Sequence, residues 1–143
     1  MTVKAILAQK GYDVLTLGPN EKLAEAIRIL AEYRVGALVV TNSEGKIVGI
    51  ISERDIVRVT AKHGAAALDM PVRDTMTPKV KICNENHTVN EIMEIMTAGR
   101  FRHLPVEKDG KLHGIISIGD VVKRRIEDVE REAEEIRAYI ATA

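Results

Sequence analysis

Apolar residues along this chain recur at helical spacing, then run together, and the whole cycle happens twice. Leu23, Ala26, Ile27, Leu30 and Ala31 lie three and four apart, which gives a helix one apolar face. Val89, Ile92, Met93 and Met96 repeat that spacing. The helices are predicted to stop near Arg34 and near Gly99-Arg100. A short apolar strand follows each, at residues 37–40 and 104–106. Then comes a turn, built on Ser43-Glu44-Gly45 or on Asp109-Gly110, the second reading as a tight hairpin. The next strands cover residues 47–51 and 112–116. Ser52 and Ser117 open a further helix, each with an aspartate three residues on, which is an N-cap signature. Gly64 predicts a helix stop, and Pro71 suits the first turn of a short helix beyond it. Toward the end, Val122, Ile126, Val129, Ala133, Ile136 and Ile140 alternate steps of four and three, the spacing of a heptad seam. That helix packs back on its own module or forms a seam between two subunits, and the sequence leaves both open.

The two cycles are copies. Residues 14–57 align with residues 80–122, with one residue of slippage in a turn. Glu25 meets Glu91, Arg34 meets Arg100 and Leu38 meets Leu104. Gly49-Ile50-Ile51-Ser52 meets an identical Gly114-Ile115-Ile116-Ser117, and Asp55 meets Asp120. The leaders Val3-Lys4 and Val72-Arg73 match as well. One copy of about 50 residues is too small to bury a core alone. Two copies packed sheet against sheet would form a pseudo-two-fold α+β disc, with a cleft on either side of the axis. The expected division is repeat one at 1–64, repeat two at 65–125 and a C-terminal helical extension at 126–143.

Composition narrows the classes. With one Phe, three Tyr and no Trp in 143 residues, the core must be aliphatic. The 21 basic and 21 acidic side chains cancel, so no nucleic-acid partner is expected. No apolar run approaches the ~20 residues that cross a bilayer, so no membrane role is expected. Cys83 is the single cysteine and reads as a small buried apolar residue. The expected location is a reducing cytoplasm.

Candidate chemistry gathers where the second strand of each copy meets its helix. Ser52 with Asp55, and Ser117 with Asp120, place a hydroxyl and a carboxylate beside free N–H groups at a positive helix end. Such an end favours phosphate. A carboxylate there can accept from ribose hydroxyls, as in dinucleotide folds. A plain capping motif would give the same pattern. Arg100, Arg102 and His103, around Phe101, form a basic lip that matches phosphate oxygens, or else a solvated edge. The equivalent stretch in repeat one, Arg34 with Val35-Gly36-Ala37, lacks the extra arginine and the histidine, while Asp55 has Arg54 beside it. The two clefts are therefore expected to differ, with the Asp120 cleft the more basic.

These motifs carry a resemblance. Residues 34–57 (Arg-Val-Gly-Ala-Leu-Val-Val, then Gly-Lys-Ile-Val-Gly-Ile-Ile-Ser-Glu-Arg-Asp-Ile-Val) resemble a cystathionine-β-synthase (CBS) domain. So do residues 100–122 (Arg-Phe-Arg-His-Leu-Pro-Val, then Gly-Lys-Leu-His-Gly-Ile-Ile-Ser-Ile-Gly-Asp-Val-Val) and the leader Val-Arg-Asp-Thr-Met-Thr-Pro at 72–78. The resemblance implies a pair of βαββα-type repeats that binds AMP, ADP, ATP, NAD or S-adenosylmethionine as a regulatory ligand, often as a homodimer. It implies ribose and phosphate roles for Ser52, Asp55, Ser117 and Asp120. Residues Val35, Gly36, Ala37, Phe101, Arg102 and His103 would then flank base and phosphate. Each cleft would draw on both copies, grouping Asp120 with Tyr12, Asp13 and Val14, and Asp55 with Thr77, Lys79 and Val80. Catalysis is not expected. Gly-x-Ser-x-Gly is absent, the four histidines lack metal-ligand spacing, and His103 is the one conceivable base. No catalytic cofactor is expected, and the regulated protein is not readable. The rival reading is a ligand-free scaffold that acts through dimerisation and its C-terminal helix.

Overall fold

The computed structural model describes residues 1–142; Ala143, the last residue of the expected extension, lies outside them. The elements run α1 (Val3–Lys10), β1 (Thr16–Leu17), α2 (Leu23–Tyr33), β2 (Ala37–Thr41), β3 (Ile47–Ser52) and α3 (Glu53–His63). A 3-10 segment (Gly64–Asp69) leads to α4 (Val72–Thr75), α5 (Val89–Gly99), β4 (His103–Lys108), β5 (Lys111–Ser117) and α6 (Ile118–Thr142).

Local chemistry sets the boundaries. Helices α2 and α5 both end on an arginine in the left-handed region, Arg34 at φ 53° and Arg100 at φ 57°. That conformation costs an L-residue about 1–2 kcal/mol. Each arginine's N–H returns to the carbonyl four residues back, Leu30 and Met96, and closes the last turn. In the β4–β5 hairpin Asp109 and Gly110 both have positive φ, the geometry that suits the twist of antiparallel strands. Gly64 caps α3 as expected, whereas Pro71 sits at the cap of α4 and not within its first turn. Ala31 and Met93, expected on the apolar faces, turn toward solvent instead.

The sheets differ through one residue. In repeat one β1 pairs parallel with β2, which pairs antiparallel with β3. There the Val39 N–H donates to the Leu15 carbonyl at 3.3 Å. The equivalent of Val39 is Pro105, which has no N–H to give. Repeat two therefore keeps two strands, β4 and β5, and a single bridge from Cys83 to Val106. Cys83 is buried, and burial pushes its thiol up to about 12.

The copies are joined by exchanged leaders, and the helix-facing sides of the two sheets carry two clusters of buried residues, while Ala37 and Val39 are buried on the other face of β2. Val3, Ile6 and Leu7 of α1 pack into the core of repeat two, with Ile92, Leu104 and Ile116. Ala67 and Val72, at the start of repeat two, pack into the core of repeat one, with Leu23, Leu38 and Ile51. Backbone bonds repeat the exchange in both directions. The Val3 N–H donates to His87 and the Val89 N–H to Met1, each at 2.9 Å. The Val72 N–H donates to Glu21 and the Leu23 N–H to Met70, each at 2.8 Å. This explains the shared glycine of Gly-Ile-Ile-Ser. A Cβ on Gly49 would stand 2.9 Å from the Thr77 carbonyl, and one on Gly114 would stand 2.9 Å from a Leu7 methyl. The crossing leader needs that room.

Beyond repeat two, α6 continues as one helix. It is rooted by buried Val121 and by buried Asp128, which Arg131 approaches at 2.9 Å. Its heptad positions Val122, Ile126, Val129, Ile136 and Ile140 are all exposed. The stripe does not pack back on its own module. Among the described residues no helix is long and apolar enough to cross a membrane.

Candidate functional site

Strand β3 ends at Ser52, which caps α3. The Asp55 N–H donates to Ser52 Oγ at 3.4 Å, and the Ser52 N–H returns to Asp55 Oδ2 at 2.9 Å. This reciprocal box fixes the Asp55 carboxylate over the helix start. Its second oxygen, Oδ1, accepts from Thr77 Oγ1 at 3.2 Å and lies 3.6 Å from Arg58 Nη1. Thr77 arrives from the other repeat. It is held by a two-way backbone pair with Ile50, at 2.8 and 3.0 Å. Asp55 is 6% exposed and hydrogen-bonded through both oxygens.

A cavity of about 290 Å³ opens here, at the lower end of the small-ligand range. Both repeats line it. Gly36, Ser52, Arg54 and Asp55 come from repeat one, and Thr77, Val80, Phe101, Arg102 and His103 come from repeat two. Arg58 and Arg100 bring the lining arginines to four, two on α3 and two from repeat two, beside two carboxylates, Glu53 and Asp55. The basic lip expected beside Asp120 thus lines the Asp55 cleft, although His103 is also paired with Ser117 across β4 and β5. His103 stands at the join, where a Cβ on Gly36 would come within 3.3 Å of its Cε1. Burial holds His103 below the ordinary histidine range, with the Lys10 charge adding to this and Asp120 and Glu53 opposing it. Val35, Ala37 and Lys79 do not line this cavity.

Beside Asp120 a cavity of about 160 Å³ lies between α1 and α6, lined by Ile6, Gln9, Lys10, Lys123, Arg124 and Glu127. Ser117 and Asp120 form the same reciprocal box, at 2.9 and 3.2 Å. Yet the group facing Asp120 is Lys10, at the end of α1, with Nζ 2.7 Å from Oδ2. Burial pushes the Asp120 carboxyl up, but Lys10 and the Ser117 N–H outweigh it and hold the group below its ordinary range. Tyr12, Asp13 and Val14, grouped with Asp120 from the sequence, do not line its cavity. Tyr12 instead packs on His113, ring centroids 4.9 Å apart.

Arg58 is a lining residue that the sequence reading does not contain; it lies one turn after Asp55 on the same helix, so its spacing could have flagged it. Lys10 is read only as the start of a strand entry, because nothing local says where a lysine at a helix end will reach. Among the described residues, no group of three or more His, Cys, Asp or Glu could hold a metal ion.

A protein-family profile described as "CBS domain" matches residues 3–62 and 72–127. An uncharacterized 17.7 kDa protein of Acidianus ambivalens is 41% identical over 111 residues, covering 77% of this chain and 66% of that one. An inosine-5'-monophosphate dehydrogenase of Methanocaldococcus jannaschii is 36% identical over 114 residues, 79% of this chain but 22% of the enzyme. The chain thus corresponds to a minor part of that enzyme. Among solved structures, the CBS-domain protein ATU1752 of Agrobacterium tumefaciens matches with a TM-score of 0.84 and 51% identity, over 87% of this chain and 92% of that one. CBSX2, solved in complex with AMP, matches with a TM-score of 0.70 and 26% identity, over 88% and 96% of the two chains. The CBS pair of MJ0100, solved with 5'-methylthioadenosine and S-adenosylmethionine, matches with a TM-score of 0.77 and 26% identity, over 86% and 98%. Two profile matches in tandem, each spanning one of the structural repeats described above, show that this chain belongs to the CBS-domain family.

Proposed function

We propose that the chain is a regulatory, non-catalytic module that binds an adenosine compound carrying phosphate in the Asp55 cleft. The observation behind this reading is the set of four arginines that line the cavity beside a capped helix start and a carboxylate. Guanidinium forks match phosphate oxygens, and the helix end adds its own N–H groups and partial positive charge. Asp55, with Thr77, supplies the acceptor for a ribose diol. Adenine itself is supported by the neighbours solved with AMP and with S-adenosylmethionine. Four arginines favour AMP, ADP, ATP or NAD over the cationic sulfonium compound. The ligand would stabilise the folded state in proportion to the logarithm of its concentration over its dissociation constant.

The exposed heptad stripe of α6 supports a second part of the reading, a homodimer joined along this helix. Its flanks carry alternating glutamates and arginines such as Arg125, Glu130, Glu132 and Arg137, which can pair between copies. The protein that reads the module's state would contact this assembled form.

The test is calorimetry with AMP, ADP, ATP, NAD, S-adenosylmethionine and GTP. One phosphate-bearing adenosine compound should bind saturably and GTP should not. D55A should weaken binding by about 1.5–3 kcal/mol, the value of charged hydrogen bonds, and R102A should weaken it as well. If no adenosine compound binds nucleotide-free, folded protein, the reading fails and the scaffold alternative stands.

A further inference from the structure

The two clefts are built from duplicated parts, yet different chemistry closes them. At the first, the chain leaving α4 runs extended. The Thr77 N–H donates to the Ile50 carbonyl at 2.8 Å, and Thr77 Oγ1 donates to Asp55 at 3.2 Å. At the second, α1 runs on as helix to Lys10, and Leu17 follows Val3 by 14 residues where Cys83 follows Val72 by 11. Among the described residues no backbone bridge like that of Thr77 with Ile50 is made to β5 there, although Tyr12 packs on His113 of that strand. One ammonium does both jobs: Lys10 Nζ donates to the Ile115 carbonyl at 2.8 Å and to Asp120 Oδ2 at 2.7 Å. Ile115 and Asp120 are the repeat-two equivalents of Ile50 and Asp55.

A neutral hydroxyl and an ammonium have different consequences for a ligand. Thr77 can turn its hydroxyl to share Asp55 with a ribose diol at little cost. Lys10 carries a full charge against a half-buried carboxylate, and a diol must compete with that ion pair.

We infer that Lys10 is an internal occupant of the second cleft and makes the chain a one-site binder, filled at the Asp55 cleft. This rests on the reading given under Proposed function. Lys10 is thus a specificity-determining residue. It sets how many ligands one chain holds, without touching the ligand in the first cleft.

The test is AMP titration by calorimetry of wild type, K10M, K10Q and the double variant K10M/D120N. Wild type should take one AMP per chain. K10M and K10Q should take two, with the second site tightened by roughly tenfold or more, the factor expected when a charged competitor leaves. K10M/D120N should return to one. Wild type filling two equal sites, or both single variants staying at one, overturns the inference. A second readout needs no nucleotide: reductive methylation of lysines, followed by mass spectrometry. Lys10 should react several-fold more slowly in wild type than in D120N, and equal rates overturn the occupancy. If AMP binds none of these proteins while Lys10 is protected, the ligand reading falls and the internal pairing stands.

Discussion

Helices α1 and α4 occupy equivalent places and teach different lessons. Each leaves its own repeat and buries a valine, Val3 or Val72, in the core of the other. Helix α1 has eight residues and commits three of them to the core, whereas α4 has four residues and commits one. The short helix hands over at once to an extended strand that seals its cleft with backbone bonds. The long helix seals the opposite cleft with a side chain. A duplicated fold preserves where the chain must be satisfied, and leaves open which group does it.

The comparison can be broken most severely at the cores. Leu7→Ala should cost about 2–5 kcal/mol in urea denaturation, because Leu7 is fully buried in repeat two's core. Val72→Ala removes about one methylene less and should cost about 0.8 kcal/mol less. If Val72→Ala proved the more damaging, repeat one would be the weaker half. The crossing points come next. Gly49→Ala should destabilise by about 1–3 kcal/mol, since its new methyl meets the Thr77 backbone. Gly114→Ala should cost less, because Leu7 methyls can move.

Smaller effects sharpen the contrast at the caps. Ser52→Ala should cost about 1 kcal/mol of thermal stability. Ser117→Ala should cost less, because Ser52 Oγ also donates to Asp55 at 3.0 Å. Protonation gives the shallowest signal. His103 titrates below its ordinary value of 6.5 when folded, so its contribution is complete above pH 6.5 and is lost as pH falls through the interval beneath. Denaturation midpoints between pH 8 and pH 5 should show this decline, and His103→Asn should flatten it. Asp120 behaves likewise at lower pH. Its depressed carboxyl adds stability above its ordinary 3.8 that is lost as pH falls further, and K10M should reduce that loss.

Much of this was legible beforehand. The repeat, the helix ends at Arg34 and Arg100, the Asp109-Gly110 hairpin and the two serine caps are local events, and local residues specify them. The exchange of leaders was not legible. Val3, Ile6 and Leu7 announce a helix that needs a core, but periodicity does not say whose. The same gap misplaced the basic lip: Arg102 and His103 were assigned to the cleft nearest in sequence, and the fold carries them to the other. Pro105 shows the opposite case, where a single missing N–H could have predicted the lost third strand.

The exchanged leaders also decide the order in which the molecule can be made. On the ribosome α1 emerges first, but the carbonyl that receives the Val3 N–H belongs to His87, and the core awaiting Leu7 extends to Val121. Repeat one cannot finish its own core until Val72 has been synthesised. Of the elements described, α1 is made before the others yet docks last, and its contacts span most of the sequence, the kind of long-range closure that slows folding. A nascent chain that stalls between the repeats would present two unfinished cores to any protease or chaperone near the exit.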